Sequence, residues 1–152
     1  MRVAVERGDA VVLVPRLSHG VLRLEGRAPG PGRGGGAAPA HEPAQGLVAG
    51  PALLSLSREG LLVGAEVLEE QRWWRPRSVD WELRTRAHGL RVLEHDPADV
   101  PEPRWDAARR LFWLAWGDAA APRIVGLGPR AHAAVDGERL VALLADLRGF
   151  GR

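Results

Sequence analysis

The segment Arg72-Trp73-Trp74-Arg75-Pro76-Arg77 carries the residue types best suited to making contacts. Arginine presents a planar fork that pairs bidentately with carboxylate or phosphate, and tryptophan offers a stacking and cation–π surface. Interleaved, they fit a protein hot spot, single-stranded nucleic acid or an anionic membrane surface. The same pattern also arises when one indole fills the core, the other covers its edge and the arginines are solvated. A second aromatic pair lies in Leu111-Phe112-Trp113-Leu114-Ala115-Trp116, where an extended chain sends Trp113 and Trp116 to opposite faces. Six tryptophans exceed what a core of this size holds at about 150–250 Å² of buried area each, so at least one ring is expected outside. The expected contact face is Trp73 or Trp74 with Arg72, Arg75 and Arg77, and the outward ring of Trp113 or Trp116 is a second patch.

Catalytic chemistry finds little support. Gly126-Leu127-Gly128-Pro129-Arg130-Ala131 follows an apolar run and superficially matches a dinucleotide fingerprint. Pro129 interrupts it, and 26 residues after Gly126 are too few for the rest of a Rossmann unit. His19, His41, His88, His95 and His132 show no HxxxH or HExxH spacing. Asp80 and Glu82 share one strand face, as carboxylates in metal-dependent nucleases do, but Arg84 and Arg86 on that face offer ion pairing and no lysine accompanies them. No serine stands in a G-x-S-x-G elbow. The expectation is no catalytic residue, no metal and no cofactor, with an enzyme ranked third among the readings.

Composition narrows the classes further. The chain has 152 residues, 45% hydrophobic and 26% charged, enough for a globular domain with a core of its own. Cysteine is absent, which excludes disulfides, thiolate nucleophiles and cysteine-based zinc sites. All 21 basic residues are arginine, set against 19 acids, for a net charge of +2. The attraction to DNA or membrane at pH 7 is therefore expected to be modest. Arginine without lysine, in an alanine-, glycine- and proline-rich chain, reads as the coding bias of a GC-rich bacterium. The opening Met1-Arg2-Val3-Ala4-Val5-Glu6-Arg7 has no continuous apolar run. No stretch approaches the roughly 18 apolar residues of a membrane span. The expected location is the cytoplasm, without a transmembrane segment.

Secondary elements must position these residues, and hydrophobic periodicity predicts them. Residues 1–25 read as N-terminal strands of the same domain: Arg2–Glu6 and Ala10–Val14 around a turn, the second ended by Pro15, then Val21–Glu25. Residues 26–46 are mostly Gly, Pro, Ala and Arg, with nothing large to bury, and read as a flexible loop. Residues 47–152 read as a β-rich domain with a C-terminal helix. Ala52–Ser57 and Leu61–Val63 flank a hairpin turn at Arg58-Glu59-Gly60. Val79, Trp81, Leu83 and Thr85 alternate strictly with Asp80, Glu82, Arg84 and Arg86, predicting a half-buried strand that returns as Leu90–Glu94 after His88-Gly89. Leu111–Trp116 is apolar on both faces, and Arg123–Leu127 is a further strand. Leu140, Leu143, Leu144 and Leu147 fall at i, i+3, i+4 and i+7; Asp136 can cap that helix and Gly149 can close it.

Antiparallel hairpins closed by a C-terminal amphipathic helix resemble, in architecture, the pleckstrin-homology (PH)-like barrel and its bacterial forms. The similarity spans roughly Pro51 to Phe150, with the first 25 residues adding strands. The expected class is mainly β (α+β), an antiparallel barrel or curved sheet with that helix packed against it. The expected function is a non-catalytic protein-binding or scaffolding module of a bacterial cytoplasmic assembly. Its partner would be a protein, with self-association open as well. The alternative is a nucleic-acid or anionic-surface binder acting through Arg72–Arg77.

Overall fold

In a computed structural model, which describes residues 1–8, 11–27, 42–84 and 86–150, the chain is built from strands. Among the described residues the helical content is a single 3-10 turn at Gln71–Trp73, and no helix is long and apolar enough to cross a membrane. The strands are β1 (Arg2–Glu6), β2 (Val12–Ser18), β3 (Val21–Arg27), β4 (Gln45–Ala49), β5 (Ala52–Leu56), β6 (Leu62–Val67), β7 (Arg75–Pro76), β8 (Gly89–Glu94), β9 (Glu102–Asp106), β10 (Leu111–Ala115), β11 (Arg123–Gly126), β12 (Ala131–Asp136) and β13 (Arg139–Asp146).

They form two sheets. In the larger, β11, β12, β13, β10, β9 and β7 lie side by side, and β1 extends it by pairing with the start of β13 and with β8. The smaller runs β2-β3-β6-β5-β4. Every ladder is antiparallel except the short one between β7 and β9. Alternate side chains of both sheets meet in one core. Leu22 and Leu24 of β3 and Leu54 and Leu56 of β5 share it with Phe112 and Leu114 of β10 and Leu143 and Ala145 of β13. Two seams stitch the sheets together without closing a barrel: Leu13 N donates to Leu127 O at 2.8 Å, and Val92 N donates to Gly60 O at 2.9 Å.

The C-terminal helix, and with it the helix-closed barrel, is overturned: Arg139–Asp146 is strand β13, paired with β12 on one edge and with β10 and β1 on the other. Asp136 does not cap a helix; it precedes the two-residue turn Gly137-Glu138, where Gly137 takes φ +62°. The leucine spacing misleads for two reasons. A strand covered on both faces does not alternate. In addition, the ladder with β12 slips by one residue, passing from Ala134↔Ala142 to Val135↔Leu140, so Val141 has no opposite number and the inward parity shifts. Bulge plus burial produces helical spacing in an extended chain.

Three further expectations need correction. Arg2–Glu6 and Ala10–Val14 do not form a hairpin, since β1 joins the larger sheet and β2 the smaller, and β2 runs through Pro15 to pair with β3. Gly26 and Arg27 finish β3, and Gln45 and Gly46 begin β4; residues 28–41 of the expected loop lie outside the described residues. Residues 78–84 alternate in burial but form no strand, and Leu90–Glu94, within β8, pairs with β1 instead. Thr85 lies outside the described residues. The β5–β6 hairpin forms as expected: Leu61 N donates to Ser57 Oγ at 3.1 Å, and Gly60 supplies φ +86°.

The fingerprint-like glycines have a packing role. A Cβ on Gly128 would lie 2.1 Å from the Leu13 carbonyl oxygen, and one on Gly126 would lie 2.5 Å from that of Arg86. Only glycine lets the backbone pass there, with β2 on one side and the Arg84 and Arg86 carbonyls on the other.

Candidate protein-interaction site

The site grows from the end of β6. The 3-10 turn is docked by Gln71 N donating to Gly20 O at 3.0 Å and closed by Trp73 N donating to Glu70 O at 2.9 Å. Directly after it, Trp74 turns inward. Its indole N–H donates to Glu69 O at 2.9 Å, and its ring packs on Phe112 at 4.4 Å and Trp105 at 5.7 Å between centroids. Trp74 is 4% exposed, and its neighbour Trp73 is left 64% exposed. The Arg72 guanidinium stacks over the Trp73 ring at 5.2 Å and pairs with Glu70 at 3.1 Å.

Strand β7 carries the segment onward along β9, and Arg77 N donates to Trp105 O at 3.0 Å. The arginines enter a chain of ion pairs. Arg75 meets Glu102 at 2.9 Å, Glu102 meets Arg104 at 2.7 Å, Arg104 meets Asp118 at 2.9 Å, and Asp118 meets Arg77 at 3.6 Å. Arg104 is nearly buried and lies over the Trp113 ring at 4.8 Å. Burial alone would lower its pKa, but hydrogen bonds to Glu102 and Asp118 outweigh it and raise it. The hydrogen bond from Arg104 holds the Asp118 carboxyl below its usual range.

The structure therefore brings Arg72, Trp73, Arg75 and Arg77 to one exposed stretch and separates the other expected residues from it. Trp74 is core. Trp113 is 2% exposed, on the outer face of the larger sheet, with the half-buried Trp81 edge-on at 5.2 Å. Trp116 is half-buried against the inter-sheet core. Neither ring provides the outward second patch. Sequence reasoning missed the carboxylates that pair with the arginines. Glu70 is close enough in sequence to have been suspected, whereas Glu102 and Asp118 carry no such signal. It also missed Val48, Leu68 and Val100, which are exposed around the Gly50-Pro51 turn: Leu68 N donates to Pro51 O at 2.7 Å, and Val100 lies against Gly50.

Asp80 and Glu82 both face solvent, and among the described residues no group of three or more His, Asp or Glu is placed to hold a metal ion. His132 of β12 is buried between Gly126 of β11 and Leu144 of β13. Its Nδ1 meets the Arg84 carbonyl, which only accepts, so Nδ1 carries the proton. Compared with protein-family models, with curated proteins and with solved structures, the chain matches none.

Proposed function

We propose that the protein is a non-catalytic protein-binding module whose contact face is centred on Trp73 and rimmed by Arg72, Arg75 and Arg77. The carrying observation is an open indole amid arginines that already have carboxylate partners. A free arginine cluster would favour polyanions through counterion release, which unpaired positive charge drives. Arginines engaged by carboxylates around a tryptophan instead supply a polar rim to an apolar anchor, the composition of a protein hot spot. The setting proposed is a bacterial assembly, on the arginine-only basic composition.

The test is affinity capture on the wild-type chain and on Trp73→Ala, followed by titration of the captured partner. A loss of tenfold or more with Trp73→Ala supports the reading; equal affinity overturns it. Salt-dependent retention on heparin or single-stranded DNA, abolished by removing Arg72, Arg75 and Arg77, would replace it with the polyanion-binding alternative.

A further inference from the structure

The larger sheet has a second apolar face, turned away from the inter-sheet core. Leu111, Trp113, Ala115, Ala134, Val141, Ala142 and Leu144 form it, each at most 4% exposed. Its main cover is the irregular strap of residues 77–84, through Val79, Trp81 and Leu83, with Asp80, Glu82 and Arg84 pointing to solvent.

The strap is held as a ligand is held. It pairs in no strand ladder; side chains from elsewhere grip its main chain. Val79 N donates to Asp106 Oδ2 at 3.0 Å. The Arg109 fork donates to Val79 O at 2.8 Å and to Trp81 O at 2.7 Å. His132 Nδ1 donates to Arg84 O. Carbonyls two residues apart lie on the same edge of an extended chain, so the single turn Asp106–Arg109, tied by Arg109 N to Asp106 Oδ1 at 3.2 Å, reads that edge. Clefts of about 590 Å³ and 440 Å³ flank the two ends of the strap, the first between it and Trp113 and Asp118, the second beside Arg109 and Asp146. Beneath it, Trp113 Nε1 and His132 Nε2 are buried with no hydrogen-bond partner among the described residues.

We propose that this outer face is a binding site for an extended peptide, which the chain's own residues 77–84 occupy in cis. The ligand class is a partner protein's extended segment with three apolar side chains at alternate positions, the middle one a large aromatic, as in Val79, Trp81 and Leu83. Recognition is through the main chain plus alternate pockets, so it tolerates different sequences of that pattern. Strands β7 and β8, each paired in the larger sheet, hold the chain on both sides of the strap, which disfavours its exchange with a second copy; the occupant proposed is therefore a heterologous segment. Trp73 takes no part in this face; Arg77, the strap's first residue, borders both, and neither the Trp73→Ala test nor the strap variant alters it.

The test uses the full chain with Val79→Ser, Trp81→Ser and Leu83→Ser together, which weakens the resident strap and keeps every hook. A fluorescent peptide of residues 77–84 is titrated and followed by anisotropy. Saturable binding at least tenfold tighter than to wild type, and lost tenfold or more on adding Arg109→Ala, is expected. A variant that keeps its β circular dichroism but does not bind, or binds no better than wild type, overturns the proposal. Should the variant fail to fold, native-state hydrogen exchange on the wild type decides. The Val79 amide should exchange at least tenfold faster than that of Leu143 in β13; exchange of both only through global unfolding overturns the proposal. A wild-type dimer held by exchanged straps would overturn the choice of a heterologous occupant.

Discussion

Trp73 and Trp74 are adjacent and identical in type, yet they have opposite fates. Trp74 satisfies its indole N–H on Glu69 and finds Phe112 for its ring, and Trp73, the last residue of the 3-10 turn, is left facing outward. Trp74→Ala should cost roughly 3–5 kcal/mol of unfolding free energy, whereas Trp73→Ala should stay within about 0.5 kcal/mol. Urea unfolding of the two variants checks this, and equal losses would place Trp73 in the core. At His132, burial lowers the pKa, against raising contributions from the Arg84 carbonyl and the Asp146 charge. The folded value lies below the unfolded one, near 6.5, so the neutral ring's contribution is complete above about pH 6.5. It is lost as pH falls from there toward the lowered value, at up to about 1.4 kcal/mol per pH unit. His132→Gln, whose amide can still donate to Arg84 O, should remove that slope between pH 7 and 5; an unchanged slope would assign it to other groups.

Among the elements, β13, like β10, has two faces that do different work. Leu143 faces the inter-sheet core and Leu144 the strap-covered face. An amphipathic helix would have placed both on one stripe. Leu143→Ala and Leu144→Ala should each cost roughly 2–5 kcal/mol. In the strand their effects belong to separate cores, and only the Leu144 change should raise acrylamide quenching of Trp113. Quenching raised equally by both would indicate a single packed face. The crossing point of β2 with the Leu127 seam makes a sharper demand. Gly128→Ala sets a Cβ against the Leu13 carbonyl, a backbone atom that cannot rotate away. A loss of about 1–3 kcal/mol is expected in thermal or urea unfolding, with no loss marking a seam that opens freely.

At the scale of the whole molecule, the shared core makes the two sheets one cooperative unit. Tryptophan fluorescence and far-UV circular dichroism should therefore give coincident urea transitions, and separated midpoints would show the sheets unfolding independently. Long-range pairings such as β1 with β8 and with β13 also imply folding on the millisecond-to-second scale usual for β topologies. The sequence alone determined that the chain is β-rich, that a hairpin turn falls at Arg58-Glu59-Gly60, that Leu111–Ala115 is apolar on both faces, and that Val79, Trp81 and Leu83 share one side of an extended segment. These are local properties, set by turn chemistry and side-chain period within a few residues. Tertiary structure decided the rest. It made β13 a strand, because burial on both faces and a bulge removed the alternation that identifies one. It left residues 77–84 as a strap, because their hooks, Asp106, Arg109 and His132, are 27 to 48 residues distant along the chain. It also supplied Glu102 and Asp118 to the exposed arginines. A charge pair formed across the fold leaves no trace in the spacing of either partner, so only the folded chain shows that the Arg/Trp segment is a carboxylate-paired rim around one open indole.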